Sequence, residues 1–493
     1  MNHEVFLGID VGTSALKAVA IDATGVVRAQ ASAAYETISP QPRWTEQRPD
    51  DWWQACRAAI IALGTQISLD SVLAIGLTGQ MHGSVFLDAE REVIRPALLW
   101  NDQRTVAESD AIEHTIGLDQ LIRITGSRSF TGFTAPKLLW LRQNATIAYK
   151  RLHHLLLPKD YLRLMLTGEL ATDVGDASGT GLFDVGARAW SDEIVDALDH
   201  DRDVLPRAHE GPEITGRVLA TAAADLGLPA GIPVVAGGGD QQAGAIGAGA
   251  VVAGIAMTSI GTSAEVFAPS AVYAPESRGR LHAMCHSAPG TWHTMGVMLS
   301  GGASMAWLAR AIGPVTTGDQ TQRLFALAAD SPPGARGLLF LPYLTGERMP
   351  VNDPSARAAF VGLTSEHDIG DMARAVMEGV AFNLRQILDT TRETGVHVEQ
   401  MRRIGGGARD ALWPQIIADA YEMPVSLPES GEGTAIGAAM LAATGVGAFA
   451  SVAAAASSCV RVASTVVPTL GGVAAYAEAY ERYGQLYAAT RTV

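Results

Sequence analysis

The chain has 493 residues, with 36 lysines and arginines against 51 aspartates and glutamates, for a formal net charge of −15. At 48% hydrophobic it is long and apolar enough for more than one core, so two large domains are expected. The acidic balance excludes general binding of nucleic acid or of anionic membranes, which need a basic footprint, but still admits a polyanion held by local amides and a metal.

Three widely spaced cysteines, Cys56, Cys285 and Cys459, offer neither a disulfide framework nor a CxxC metal site and suit a reducing cytoplasm. The N-terminus has no basic stretch followed by an apolar run, so no signal peptide is expected. Thr434 to Val460 lacks charge and is long enough to span a bilayer. Its Ala, Gly, Ser and Thr content, interrupted at Gly445 and Gly447, predicts a buried, close-packed helix pair instead.

In chain order, Val5–Asp10 reads as a buried strand that runs into the turn Gly12-Thr13-Ser14. Leu16–Asp22 and Val26–Ala34 form a hairpin about Ala23-Thr24-Gly25. Asp50–Leu63 has helical spacing with Asp50 as N-cap, and Val72–Leu77 is a short strand ending at Gly79-Gln80-Met81-His82. Strands alternating with helices predict an α/β layered fold. Gly12-Thr13-Ser14-Ala15 recurs as Gly261-Thr262-Ser263-Ala264, each copy between apolar runs, which hints at a duplicated fold with a cleft between two lobes. The expected hinge is Ile232–Gly239, and the aromatic spacing of Ala474–Thr492 predicts a packing helix.

A Walker A loop needs Gly-Lys-Ser/Thr, and none of the four lysines follows a glycine, so P-loop chemistry is excluded. The glycines Gly247, Gly249 and Gly254 lack the spacing and preceding strand of a dinucleotide fingerprint. The two Gly-Thr-Ser turns offer another way to hold phosphates, through hydroxyls and exposed amides of facing lobes. Asp10, ending the first strand, could hold a hydrated Mg²⁺ beside them. The apolar strand Val234-Val235-Ala236 runs into Gly237-Gly238-Gly239-Asp240, which brings a carboxylate close to a ligand, and in phosphoryl transfer such a group accepts the acceptor hydroxyl's proton. Gly79-Gln80-Met81-His82-Gly83 and Trp100-Asn101-Asp102 are polar clusters suited to a hydroxylated substrate. His282, Cys285 and His286 have no further ligand cluster near them in sequence, which argues against zinc.

These motifs, with Gly132-Phe133-Thr134-Ala135-Pro136-Lys137, Leu157-Pro158-Lys159-Asp160-Tyr161, Thr345-Gly346-Glu347-Arg348 and Gly405-Gly406-Gly407-Ala408-Arg409, resemble the FGGY carbohydrate kinases in order and spacing over essentially the whole chain. The resemblance implies two actin/hexokinase-like (ribonuclease H-like) lobes: residues 1–238 for the sugar and the first phosphate turn, and 239–493 for ATP, with the C-terminal helix packing back on the first lobe. It implies phosphorylation of D-xylulose to D-xylulose 5-phosphate by Mg²⁺–ATP, with Asp240 as base. Met81, His82, Trp100, Asn101, Asp102, Asp240 and Gln241 would contact the sugar. Asp10, Thr13, Ser14, Lys17, Gly261, Thr262, Gly405, Gly406, Gly407 and Arg409 would bind the nucleotide, and Asp10 and Asp240 the Mg²⁺ through water. It further implies a cytoplasmic homodimer. Gln241-Gln242 resembles the pair in members that act on glycerol, so another sugar or polyol (ribulose, ribitol, glycerol) stays open. A non-catalytic actin-like ATPase would explain the phosphate turns but not Gln80-Met81-His82 or Asp240.

Overall fold

The computed structural model describes residues 4–312, 319–405, 411–429 and 433–491. The opening strand Val5–Val11 is buried along its whole length, as a central strand of an apolar run must be. It pairs antiparallel with Ala15–Ile21, placing Asp10 opposite Lys17, and parallel with Val72–Gly79, placing Asp10 opposite Thr78. Ala15–Ile21 pairs in turn with Val27–Ala34, completing the expected hairpin. The seven-stranded sheet continues past Val72–Gly79 through Pro233–Val235 to Ile214–Arg217, with Gly238–Gly239 also paired to Val72–Gly79.

A second seven-stranded sheet repeats this pattern. Gly254–Ile260 runs antiparallel to Ala264–Ser270 and parallel to Val398–Ile404, while Ala264–Ser270 pairs antiparallel with Trp292–Met298. The Gly-Thr-Ser turns occupy equivalent places, each linking the central strand of its sheet to the antiparallel neighbour. This is the duplicated α/β architecture expected of the sequence.

Two features differ from expectation. The helix Pro49–Leu63 starts with proline at its first position, where a missing N–H costs nothing, so Asp50 lies inside the first turn and accepts from the Tyr161 hydroxyl at 2.7 Å. Among the described residues, the C-terminal helix Leu470–Thr490 packs on the second lobe and not on the first. Tyr476 and Tyr483 enter the second lobe's core with Phe340 and Phe382, and Tyr476 donates to Glu378 Oε1 at 2.9 Å.

The chain does return to the first lobe, one helix pair earlier. Gly433–Gly445 and Val452–Cys459 are the helices read from the uncharged stretch. A Cβ on Gly8 would lie 1.8 Å from Ala435 O, and one on Gly76 1.9 Å from Ala438 O. The bare strand backbones therefore let Gly433–Gly445 press directly on the first sheet. Its other side meets Asp240–Ala248, where Cβ atoms on Gly437 and Gly247 would strike Ala243 O and Gly433 O at 1.9 and 2.0 Å. The helix that begins at Asp240 is thus clamped at the junction of the two halves. Among the described residues no helix is long and apolar enough to cross a membrane.

Candidate active site

Asp240 opens its helix directly after the Gly238–Gly239 strand, with Gly239 as N-cap. Gly237 adopts φ 81° against Leu77 O, a left-handed approach that glycine makes without strain. The segment is fixed from behind by fully buried Arg163, which donates to Val235 O at 2.8 Å, to Ala236 O, and to the Thr215 hydroxyl. Beside Arg163, Lys159 pairs with Asp160 at 2.6 Å, Asp173 at 2.9 Å and Asp176 at 3.2 Å, all buried. Burial opposes the Lys159 charge, but the three carboxylates outweigh it and hold its pKa above the ordinary lysine range. Burial pushes the carboxyls of Asp173 and Asp176 up. Gln242 points into the same region, donating to Gly175 O at 3.1 Å, so it faces away from the cleft.

Asp240 lines a cavity of about 170 Å³ whose walls come from both halves. Thr13 of the first turn and Ser263 of the second both reach it, together with Met81, His82, Trp100, Gln241 and Glu265. Burial, then the negative charges of Asp10 and Glu265, push the Asp240 carboxyl well above the usual carboxylate range. Burial lifts Glu265 to about 7, and the Gln241 amide, oriented by its hydrogen bonds, donates to Glu265 Oε1 at 2.5 Å.

His82 sits at φ 66°, a left-handed conformation uncommon outside glycine and held here by its surroundings. Its carbonyl accepts from Lys137 Nζ at 2.8 Å and from the Thr134 hydroxyl at 3.2 Å; the same lysine donates to Gly132 O at 2.7 Å. The ring stacks on Phe133, with centroids 4.5 Å apart, and its Nδ1 lies 2.6 Å from Gly179 O. Burial pulls the His82 pKa down to about 3, so the imidazole is neutral. Since only an N–H can bridge to a carbonyl, Nδ1 carries the hydrogen and Nε2 is left as an acceptor.

The first Gly-Thr-Ser turn is tied to this side of the cavity. Trp100 Nε1 donates to the Thr13 hydroxyl at 3.0 Å, and Gln47 Nε2 donates to Thr13 O at 2.6 Å. Gln47 Oε1 in turn accepts from Gln80 Nε2 at 2.9 Å and Trp52 Nε1 at 3.1 Å. Asp10 is nearly buried and accepts from the Thr434 hydroxyl at 2.6 Å. Ser14 is exposed at the turn, and Lys17 is half-buried opposite Asp10.

Asn101 and Asp102 do not join the cavity. Asn101 is exposed, while the Asp102 carboxylate is fully buried, accepting from the Thr45 amide at 2.7 Å and from Arg104, whose guanidinium lies 3.7 Å from the Trp44 ring centroid. Its oxygens are consumed by structure, which corrects its assignment as a sugar contact. Gly261 and Thr262 border a separate cavity of about 590 Å³, closed by Met305, Arg310, Gln322, Phe325 and Trp413. Gly405 stands beside it at φ 101°, where a Cβ would come within 2.6 Å of Ile260 O. Gly406, Gly407 and Arg409 lie outside the described residues.

Sequence reasoning missed Phe130, Glu265, His282 and Arg348 of the first cavity and the apolar wall of the second. One signal was available: Glu265 is a charge inside the apolar run Ala264–Ala268, immediately after the second Gly-Thr-Ser turn. His282, Cys285 and His286 part company: His282 faces the cavity, Cys285 Sγ contacts Val185 O, and His286 Nε2 meets Ala250 O. Among the described residues no three His, Cys, Asp or Glu side chains converge as a metal centre.

The sequence matches the FGGY family of carbohydrate kinases in both parts, the N-terminal domain over residues 5–247 and the C-terminal domain over 256–446. It is 43% identical over 439 residues to the xylulose kinase of Escherichia coli K12, covering 89% of each chain. To that of Bacillus subtilis 168 it is 36% identical over 490 residues, 98% of this chain and 97% of the relative. The crystal structure of xylulose kinase from Rhodospirillum rubrum superposes with a TM-score of 0.93 at 29% identity, over 99% of both chains. With two Gly-Thr-Ser turns and a carboxylate meeting in one cavity, and these matches along its length, the chain belongs to the FGGY family of carbohydrate kinases.

Proposed function

We propose that the protein transfers the γ-phosphoryl group of ATP to the C5 hydroxyl of D-xylulose, giving D-xylulose 5-phosphate and ADP. The observation that carries this reading is the meeting of Asp240 with Thr13 and Ser263, one residue from each phosphate turn, in a single cavity. The names of the relatives supply the sugar. Asp240 accepts the hydroxyl proton as the sugar oxygen bonds to the γ-phosphorus and the bond to the bridging oxygen breaks, releasing ADP. A carboxylate whose proton affinity is raised by burial is a stronger acceptor than one in water. Gly261 and Thr262 border the cavity suited to the nucleotide, whose apolar wall of Met305, Phe325 and Trp413 fits a base. The negative charge of Asp10 raises the cost of ionising Asp240, and the two carboxylates would suit a hydrated Mg²⁺, which would neutralise phosphate charge. His82 Nε2 and Gln241 offer neutral hydrogen-bonding groups to the sugar. The three cysteines are buried free thiols, in keeping with a cytoplasmic enzyme.

A second reading, a polyol kinase, draws on Gln241, which faces the cavity as a neutral amide next to the base. A coupled ADP-release assay over ketopentoses, glycerol, ribitol and no sugar separates the two. D-xylulose is expected to give the highest kcat/KM, and glycerol or ribitol outpacing it would overturn the first reading.

A further inference from the structure

The sugar cavity has two chemically different ends. Asp240, Glu265 and Gln241 form an acidic end, where the proton is taken. The other end is aromatic. His82 stacks on Phe133 at 4.5 Å, Phe133 lies 5.5 Å from Phe130, and Phe130 lies 5.3 Å from His282. Against this wall, 5.2 Å from the Phe130 centroid, sits the guanidinium of Arg348. Among the described residues it is the sole lysine or arginine lining the cavity.

Glu347 favours the Arg348 charge through space but makes no hydrogen-bonded ion pair with it. Glu347 Oε1 accepts from the backbone N–H groups of Leu299, at 2.9 Å, and of Arg348 itself, at 2.8 Å. Among the described residues no carboxylate lies within ion-pair distance of the guanidinium, which packs on Phe130 instead. Burying a cation on an aromatic face with its N–H groups open to a cavity is costly unless a ligand brings the acceptor.

The chemistry of the substrate identifies that acceptor. A 2-ketopentose closes its furanose ring by adding the C5 hydroxyl to C2, so the form that can be phosphorylated at C5 is the open chain with a free C2 carbonyl. A carbonyl oxygen only accepts, and a guanidinium has five N–H donors and no acceptor. A hydroxyl in the same place brings a proton for which the guanidinium has no use. We propose that Arg348 is the specificity-determining residue of this cavity: it donates to the C2 carbonyl oxygen of an open-chain ketopentose whose C5 hydroxyl faces Asp240. His82 Nε2 accepts a hydrogen bond from the hydroxyl next to that carbonyl, so donor and acceptor together read an α-hydroxyketone. The inference rests on the kinase reading above and deepens it.

The test compares kcat/KM for D-xylulose with that for its two C2-reduction products, xylitol and D-arabinitol, in the wild type, Arg348→Met and Arg348→Lys. The wild type should favour the ketose strongly. Arg348→Met should lower kcat/KM for D-xylulose about 10- to 150-fold, the range for a hydrogen bond to a charged group, with polyol turnover lowered less than about threefold and the KM for ATP within about twofold. Arg348→Lys should recover part of the preference. Equal losses on ketose and polyol, or Arg348→Met within about threefold of wild type on D-xylulose, would overturn the inference and leave the kinase reading standing. A wild type that prefers another ketopentose, with the same dependence on Arg348, would overturn D-xylulose as the substrate and support the inference. Should Arg348→Met not fold, the wild-type ratio and Arg348→Lys decide: no ketose preference in the wild type, or one undiminished by lysine, overturns it.

Discussion

Asp240→Asn keeps the shape of the side chain and removes its capacity to take a proton. The substitution leaves Thr13, Ser263, Trp100 and His82 in place around the cavity, so binding of sugar and nucleotide should change little. General-base assistance contributes about 10²–10⁴-fold, equivalent to about 2.7–5.4 kcal/mol of transition-state stabilisation, and kcat should fall by that factor. Stability should move the other way. The Asp240 pKa is raised by burial and by the charges of Asp10 and Glu265. A carboxyl whose folded pKa exceeds its unfolded value loses its contribution to stability as pH rises through the folded pKa, and the neutral amide has no such loss. At pH 8 without metal or substrate, Asp240→Asn should therefore melt at or above the wild-type temperature. The assay pairs coupled ADP release, with D-xylulose and saturating Mg²⁺–ATP, with a thermal melt. Retention of about a tenth of wild-type kcat would refute the role of base. A lowered melting temperature would refute the electrostatic account and assign the lost activity to misfolding.

Gln47→Ala removes the link between Thr13 and Gln80 and leaves buried polar groups unpaired. It should cost about 2–4 kcal/mol in urea denaturation and weaken the mutual enhancement of sugar and nucleotide binding in calorimetry; unchanged enhancement would reject the link. Lys159→Met leaves Asp160, Asp173 and Asp176 facing Arg163 alone, and should destabilise by about 3–5 kcal/mol; a loss under about 1 kcal/mol would show that the carboxyls simply protonate. His82, with its pKa pulled down to about 3, should stay neutral from pH 5.5 to 9. Glu265, lifted to about 7 in the same cavity, should give the KM for sugar a step near neutral pH that His82→Asn leaves in place; a step that His82→Asn abolishes would contradict the neutral acceptor.

The two turns, the strand–turn–strand repeat and the carboxylate behind three glycines were legible because each is local: a few adjacent residues with a conformational requirement. The buried helix pair was legible from composition alone, since small residues without charge mean close packing, and Gly8, Gly76, Gly247 and Gly437 are where that packing happens. Trp100-Asn101-Asp102 misled because adjacent residues diverge. Trp100 turns to Thr13 and the cavity, while Asp102 turns inward to Arg104 and Thr45. Phe130, His282 and Arg348 were not legible as one group, because two loops and the strand His282–Cys285, far apart in sequence, meet only when the lobes face each other. Gln47 had no signal at all: a lone glutamine becomes a junction only once four partners surround it.

The duplication also explains how one kind of turn serves two tasks. Both Gly-Thr-Ser turns leave the central strand of a sheet and reach the same cavity, yet they are anchored differently. In the first, Thr13 is held through its hydroxyl by Trp100 and through its carbonyl by Gln47, which joins it to the Gln80-Met81-His82 loop. In the second, Gly261 O accepts from the Gly302 amide at 2.8 Å and Thr262 O from the Ala303 amide at 3.1 Å, at the start of the helix Gly302–Ala311 that borders the larger cavity. The first turn is therefore tied to the Gln80-Met81-His82 loop, and the second to the wall of the larger cavity. Asp240 lies between them on a helix wedged against Gly433–Gly445, which itself rests on the first sheet. Asp240 is thus held at the junction of the two sheets, in one cavity with Thr13 of the first turn and Ser263 of the second.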